Sequence, residues 1–408
     1  MTAERGRDES AAFVVVHDPR HSTSVPWCGS VCNMVVLKKI VAMTLMVVVI
    51  SAGAAAAAAV RPTDRAPSTS TAELDAFVQE QMERTDTPGA AYAVVGPEGV
   101  RHERAFGIDG NGEPVTSTTP FLWGSVAKPF AATLAVLLAD DGVLDLDARV
   151  VDLLPDFRTA ERSASDRITV RQLLDQTSGI PNLLGSTDRY EHDRQPADLV
   201  ADLAGVELAS DPGAKHVYSS LNYAVLAAVV EEVTGRSYAD VLTERLLTPI
   251  GIDSALTGVQ DESSLPPGHR YVAGRATAFT TQIDPAGTAY GYLGGDVEDL
   301  AAFAQASLAG GPLLTDPERE ELTSPVVETG ADSAYGLGWR TWQVPGSDEP
   351  MVWHSGAVPG YQASVVLLPE RDEAIVVVQN AYGSFQEEPL LDTAWGLASI
   401  RVGVDPQL

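Results

Sequence analysis

GSVAKPFAATLAVLLADDG, residues 124–142, reads as a helix with a chemical device at its start. The run from about Ser125 to Asp140 is apolar almost throughout, and Asp140-Asp141-Gly142 closes it with a helix-ending glycine. Pro129 fits there because it falls in the first turn, where backbone N–H groups lack intrahelical partners. Ser125 and Lys128 are three residues apart and share a helix face, so hydroxyl and amine meet without help from tertiary structure. A serine hydroxyl attacks poorly until a base takes its proton, and a desolvated lysine can be that base. Starting the helix at the serine also aims free N–H groups and the positive dipole end at a developing oxyanion. Ser-x-x-Lys arises by coincidence on many surfaces. Here, however, the chain has only four lysines, and Lys128 precedes an apolar run where a charge would be buried.

Upstream of this helix, Ala90–Val95 and Val100–Phe106 read as strands around the turn Gly96–Gly99. Before them, Ser70 and Glu73 form a capping-box pattern that opens a helix with Leu74, Phe77, Val78 and Met82 on one face. Downstream, Leu144 to about Gly291 is mostly helical in pattern. It includes Ile168–Asp175, Tyr223–Val233 and Tyr238–Leu247, the last introduced by Ser237-x-x-Asp240. The pattern then changes. Asp296–Leu308 is a helix ending at Gly310-Gly311, and Tyr335–Trp342, Val352–Ser355, Gln362–Leu368 and Ala374–Val378 read as strands. The last two flank Pro369–Glu373 as an antiparallel hairpin, and a helix around Leu390–Ile400 closes the chain. Strands near both ends with helices between them predict an α+β fold. One antiparallel sheet flanked by helices is built from residues 71–143 and 292–408, and a mainly helical part, 144–291, is inserted.

Two further stretches carry polar groups suited to chemistry. Tyr218-Ser219-Ser220-Leu221-Asn222-Tyr223 immediately precedes an apolar helix, and a tyrosine held near Ser125 and Lys128 can relay protons. Trp353-His354-Ser355-Gly356-Ala357 lies near a strand edge and is followed by Pro359-Gly360-Tyr361. Alone, such a tyrosine is more often a core or cap residue and such a histidine more often structural.

The order and spacing of these three motifs resemble the serine β-lactamase and D-alanyl-D-alanine peptidase superfamily, above all its class C β-lactamase-like, carboxypeptidase-esterase branch. The resemblance runs from about Ala72 to Val378. It is supported by Ile168–Pro181, by Val229–Gly235 leading to Pro249-Ile250-Gly251, and by Tyr335–Trp339. It implies a β-lactamase/transpeptidase-like fold with the site between a helical part and an antiparallel α/β part. Ser125 would be acylated, Lys128 and Tyr218 would share the general-base work, and the backbone N–H groups of Ser125 and Ala357 would form the oxyanion hole. Ser220, Asn222, His354, Ser355 and Gly356 would contact substrate, and no cofactor or metal is required. Two departures stand out. The branch's Tyr-x-Asn reads Tyr218-Ser219-Ser220 here, with Asn222 two positions on as the residue offered in place of the asparagine. The third motif carries His354 where efficient β-lactamases of the branch carry lysine, and an imidazole grips a carboxylate less firmly than a permanent cation. Both favour a carboxypeptidase or esterase over an efficient β-lactamase. Two classes of function follow: an acyl-hydrolase for D-amino-acid peptides, β-lactams or small esters, and a binding or regulatory module that kept the fold and lost turnover.

Other chemistries lack their motifs. There is no G-x-S-x-G elbow, no H-E-x-x-H and no clustered His/Cys set, and the short glycine-rich pieces read as turns. His102, His192, His216 and His269 have no motif around them. With 56 acidic against 27 basic residues and a formal charge of −29, the chain is unsuited to nucleic acid or an anionic membrane surface.

Residues 1–60 read as targeting sequence. Lys38-Lys39 precede the apolar Ile40–Ile50, and Ala52–Ala59 follow as a small-residue zone, the order of a cleaved signal peptide. The competing reading is an uncleaved anchor within residues 40–60, and in either case the remainder is expected to be secreted or extracytoplasmic. Met34 offers an alternative start to Met1, Arg61–Ser70 is a linker, and Cys28 and Cys32 both lie ahead of the apolar run. The expected partner is a small-molecule or peptide substrate, with membrane contact only through the N-terminal segment. The loops around Asn182–Pro196 and Gln260–Asp284 are candidates for setting specificity.

Overall fold

The structure, a computed structural model, describes residues 70–183, 194–311, 313–382 and 389–406. The segment read as targeting sequence, both cysteines and all of the linker but Ser70 lie outside the described residues, as does most of the loop after Asn182. No described helix is long and apolar enough to cross a membrane.

The chain opens with α1 (Thr71–Thr85), β1 (Gly89–Gly96), β2 (Gly99–Gly107) and β3 (Phe121–Leu122). A 3₁₀ turn at Gly124–Val126 then runs into α2 (Ala127–Asp140). The middle section holds α3 (Val150–Leu153), α4 (Arg162–Ser165), α5 (Val170–Leu174), α6 (Pro196–Asp202), α7 (Ser220–Thr234) and α8 (Tyr238–Leu242). Next come β4 (Gly268–Val272), β5 (Arg275–Phe279), β6 (Gly294–Gly295), α9 (Val297–Ser307) and α10 (Asp316–Thr323). The last section is β7 (Val327–Gly330), β8 (Ser333–Tyr335), β9 (Arg340–Gln343), β10 (Pro350–Val358), β11 (Tyr361–Leu368), β12 (Glu373–Gln379) and α11 (Pro389–Val402).

The main sheet has the order β2-β1-β12-β11-β10-β9-β8-β7, with antiparallel neighbours throughout. Its centre joins the two ends of the chain, from Ala90 opposite Gln379 to Val95 opposite Ala374. This is the α+β arrangement expected from the sequence. All of β1 is buried because alternate side chains enter two cores. Ala91, Ala93 and Val95 pack into the larger core with residues of α2, α7 and α9. Ala90, Tyr92 and Val94 pack into the smaller core under α1 and α11. At one edge, β2 carries Arg101, Glu103 and Arg104, charges that discourage pairing with another chain.

Three local expectations are corrected. Tyr335–Trp342 is not one strand: Gly336–Trp339 forms a turn closed by Gly336 N–H donating to the Trp339 carbonyl at 2.8 Å, and it separates β8 from β9. The helix expected over Tyr238–Leu247 passes after Leu242 into a π-helical turn at Thr243–Leu247. The middle section also contains the β4–β5 hairpin, which a mainly helical reading did not foresee. Its signal, short strands around Ala273-Gly274 with both residues at positive φ, is a turn signature rather than a periodicity.

Candidate active site

Ser125 sits in the 3₁₀ turn and Lys128 in the first turn of α2, as their spacing predicts. An aromatic stack fixes this start: Trp123 lies on Phe130 at 5.3 Å between ring centroids, Phe130 on Phe303 at 3.6 Å, and Phe303 on Trp339 at 6.1 Å. Lys128 is fully buried, and its Nζ lies 3.0 Å from Ser125 Oγ, 3.1 Å from Ser220 Oγ and 3.0 Å from the Tyr290 carbonyl. Burial pushes its pKa down, the Tyr218 phenol opposes that, and Arg340 adds to it, leaving the amine below its ordinary value. The three contacts also fit the uncharged form. A neutral amine keeps two donors and one lone pair. The Tyr290 carbonyl can only accept and so takes one of the donors, while a hydroxyl such as that of Ser125 can either accept the other or donate to the lone pair.

The turn bearing Ser125 lies directly against β10. A Cβ placed on Gly356 would fall 2.2 Å from the Trp123 carbonyl oxygen and 2.3 Å from the Ser125 nitrogen. One placed on Gly124, whose φ is +55°, would fall 2.3 Å from the Ala357 nitrogen. Glycine on both sides is what lets these backbones touch. Val358 pairs with Tyr361 across a two-residue turn, so the alternation of the antiparallel ladder turns the Ala357 N–H away from β11. The pairing of β10 with β9 stops at Trp353 opposite Arg340, so β9 does not cover Ala357. The N–H groups of Ser125 and Ala357 are therefore neighbours at an open strand edge, the arrangement an oxyanion hole needs.

Tyr218 reaches the same place from the segment before α7. Gln176 straps that segment down: its carbonyl accepts from Val217 N–H at 2.8 Å and its Oε1 from Ser219 N–H at 2.9 Å. Gln176 is fully buried at a φ of 65°, so the Ile168–Pro181 stretch serves to hold the tyrosine. Lys128 Nζ is 5.0 Å from the Tyr218 ring centroid. Burial alone would raise the Tyr218 pKa, but Lys128 first, then Arg340, then hydrogen bonding with Ser125 and Lys128 bring it below the ordinary value.

Ser220 keeps contact with Lys128, whereas Asn222 is not at the site. Asn222 is fully buried on the inner side of α7, accepting from Ser178 Oγ at 2.6 Å and donating to Gln176 Oε1 at 2.6 Å. Two residues on from Ser220 the helix has turned through about 200°, which carries Asn222 into the core instead of the cleft. Its replacement by alanine is expected to lower unfolding free energy by about 1–3 kcal/mol through the orphaned Ser178 and Gln176 groups. KM for a small ester would change by less than about twofold. Denaturant titration and steady-state kinetics on one preparation check both halves.

The cleft has a volume of about 390 Å³ and is lined by Ser125, Tyr218, Arg340, Trp353, His354, Ser355, Gly356, Ala357, Gln362 and Tyr382. His354 is 1% exposed and both ring nitrogens are engaged: Nδ1 with the Ser355 carbonyl at 2.7 Å and Nε2 with the Tyr335 hydroxyl at 3.1 Å. A carbonyl only accepts, so Nδ1 carries the hydrogen and Nε2 accepts from the phenol. Burial, Arg340 and Lys128 hold its pKa well below the ordinary value, against the Ser355 carbonyl. The ring is a neutral brace in the wall and offers no free nitrogen to a ligand, which corrects its expected contact with a substrate carboxylate. The cation in the wall is Arg340, which sequence reasoning missed although it directly follows the quoted Tyr335–Trp339 stretch. The Tyr290 carbonyl was also missed, since a backbone acceptor has no residue-type signature.

Fold and site together define a hydrolase scaffold built around a serine and a buried lysine. A family model described as Beta-lactamase matches residues 74–399, and the chain belongs to that family. Protein flp of Staphylococcus aureus (strain MRSA252) is 26% identical over 324 residues, 78% of this chain and 64% of flp. The chain thus spans less than two thirds of that relative's length. Among solved structures, the octameric penicillin-binding protein homologue from Pyrococcus abyssi superposes with a TM-score of 0.70 at 22% identity, covering 82% of this chain and 78% of the other. A D-stereospecific amidohydrolase from Streptomyces sp. superposes with a TM-score of 0.65 at 25% identity, covering 78% of this chain and 98% of the other.

Proposed function

We propose that the chain is an exported serine acyl-hydrolase that forms an acyl-enzyme on Ser125 with D-amino-acid peptides, β-lactams or small esters. The observation that carries this reading is the buried Lys128 amine held by Ser125, Ser220 and Tyr290, with the Tyr218 ring beside it. Ser125 Oγ forms a bond to the substrate carbonyl carbon while its proton passes to Lys128 or Tyr218, and the carbonyl electron pair moves onto oxygen between the Ser125 and Ala357 amides. The intermediate collapses, the bond to the leaving nitrogen or oxygen breaks, and Tyr218 supplies that atom with a proton. Water then attacks the acyl-enzyme carbonyl as Tyr218 takes its proton, and the acyl–Oγ bond breaks as the proton held by Lys128 or Tyr218 returns to Ser125 Oγ.

The open edge of β10 suits an extended, amide-bearing substrate. The likeness to a D-stereospecific amidohydrolase supports the peptide end of the substrate range. The neutral, fully engaged His354 favours carboxypeptidase or esterase chemistry over efficient β-lactam hydrolysis. Ser220, which stands where the branch has asparagine, accepts a hydrogen bond from Lys128 Nζ at 3.1 Å and so helps hold the base, which argues against a binding module without turnover.

Intact-mass measurement of the exported portion with a penicillin and, separately, with a short-chain activated ester tests the proposal. Wild type should show an acyl adduct or a product burst followed by turnover. Ser125→Ala should show neither, with kcat down by on the order of 10⁴-fold or more. An adduct of equal yield on the alanine variant, or no reaction of wild type with either reagent, would sink it.

A further inference from the structure

We propose that Arg340 is a positioning residue for Tyr218: its guanidinium, lying over the phenol ring, holds the relay tyrosine toward Ser125 and Lys128 and lends positive charge to its oxygen. This rests on the reading of Ser125 as nucleophile and Tyr218 as relay. Arg340 opens β9 opposite Trp353, and its guanidinium carbon lies 5.2 Å from the Tyr218 ring centroid, 5.4 Å from that of Tyr335 and 5.5 Å from that of Trp353. Among the described residues no carboxylate pairs with it. A guanidinium held by ring faces keeps its full charge for its surroundings, whereas an ion pair would cancel it.

The groups facing Tyr218 show why that charge matters. They are Lys128 from α2, Tyr223 from α7, Tyr335 from β8, Arg340 from β9, His354 from β10 and His216 from its own segment. Burial, helped by Arg340, pushes His216 down to about 4, and His354 is neutral as well, so neither histidine contributes charge near neutral pH. Lys128 can accept the serine proton only when it is uncharged. In that state Arg340 is the one charge among these groups that still favours the ionised phenol, beside the hydrogen bonds from Ser125 and Lys128, and it also favours the uncharged lysine.

The test follows kcat and KM against pH for a neutral activated ester in wild type, Arg340→Gln and Arg340→Lys. Removing a cation favours the protonated phenol and the protonated amine, so both pKa values rise and the acid limb of kcat moves to higher pH. The expected move in Arg340→Gln is about one pH unit or more. Below the limb this gives roughly a tenfold loss of kcat per unit. KM for the neutral ester stays within about twofold, because glutamine keeps much of the arginine's bulk in the cleft wall and the ester has no charge for the guanidinium to pair with. Arg340→Lys keeps a cation and should recover most of the limb position, and it stands in if the glutamine variant folds poorly. An unmoved limb, with losses confined to KM for carboxylate-bearing substrates, would make Arg340 a substrate counter-ion and overturn the proposal. Ultraviolet titration of tyrosinate separates this failure from failure of the nucleophile reading. The step missing in Tyr218→Phe should shift alkaline in Arg340→Gln whether or not the protein turns over, and an unshifted step would also overturn the proposal.

Discussion

Lys128→Met is expected to lower turnover of a small ester by roughly 10³- to 10⁴-fold, the scale of losing a positioned general base, while leaving the fold as stable as before or more so. The two halves have one cause. The amine is fully buried and its pKa is depressed chiefly by burial, so the folded protein carries a group that prefers water. Methionine keeps most of the chain's length and its packing against Tyr223 without that desolvation. A gain of about 1 kcal/mol would raise the thermal midpoint by about 2 °C in a domain of this size. Calorimetry and steady-state kinetics on one preparation measure both. A variant that loses more than about 2 kcal/mol would show that the bonds to Ser125, Ser220 and Tyr290 anchor the fold rather than poise a base.

Gly356→Ala should be almost as damaging to activity, for a different reason. The added Cβ would lie 2.2 Å from the Trp123 carbonyl oxygen and 2.3 Å from the Ser125 nitrogen, and both are backbone atoms that no side-chain rotation can move aside. The turn must lift away from β10, which separates the Ser125 and Ala357 amides. Loss of an oxyanion donor lowers kcat by about 10²- to 10³-fold, and overpacking here should cost about 1–3 kcal/mol of stability. The rate of adduct formation with an activated ester reads the first effect and chemical unfolding the second. Wild-type acylation kinetics in a folded Gly356→Ala protein would rule out these two amides as the oxyanion hole.

Much of this architecture is legible in the sequence because it depends on local order. The Ser125–Lys128 spacing is set by helix geometry, and the hairpin of β11 and β12 by alternation around Pro369–Glu373. The bounds of β1 and β2 follow from their glycines. What escapes is whatever depends on where a chain passes after a turn. Asn222 looks interchangeable with Ser220 on paper, yet their positions on α7 send one into the core and leave the other on Lys128. Arg340 is an ordinary arginine until the turn at Gly336–Trp339 restarts the strand and sets it among three rings. His354 reads as a ligand-binding residue until Tyr335 and the Ser355 carbonyl take both of its nitrogens.

The order of strands in the main sheet also decides when the Ser125 turn can gain its neighbour. Among the described residues the first strand pairs with the last, and β10, which carries Ala357, is tied to β1 through β11 and β12. Until Glu373–Gln379 is available the sheet has no middle, and the Ser125 turn has no fixed edge to lie against. Contacts this distant in sequence form late and slowly. Ser125 and Lys128 come from one short stretch of chain, but the strand edge they lie against is secured only by the last of the described strands.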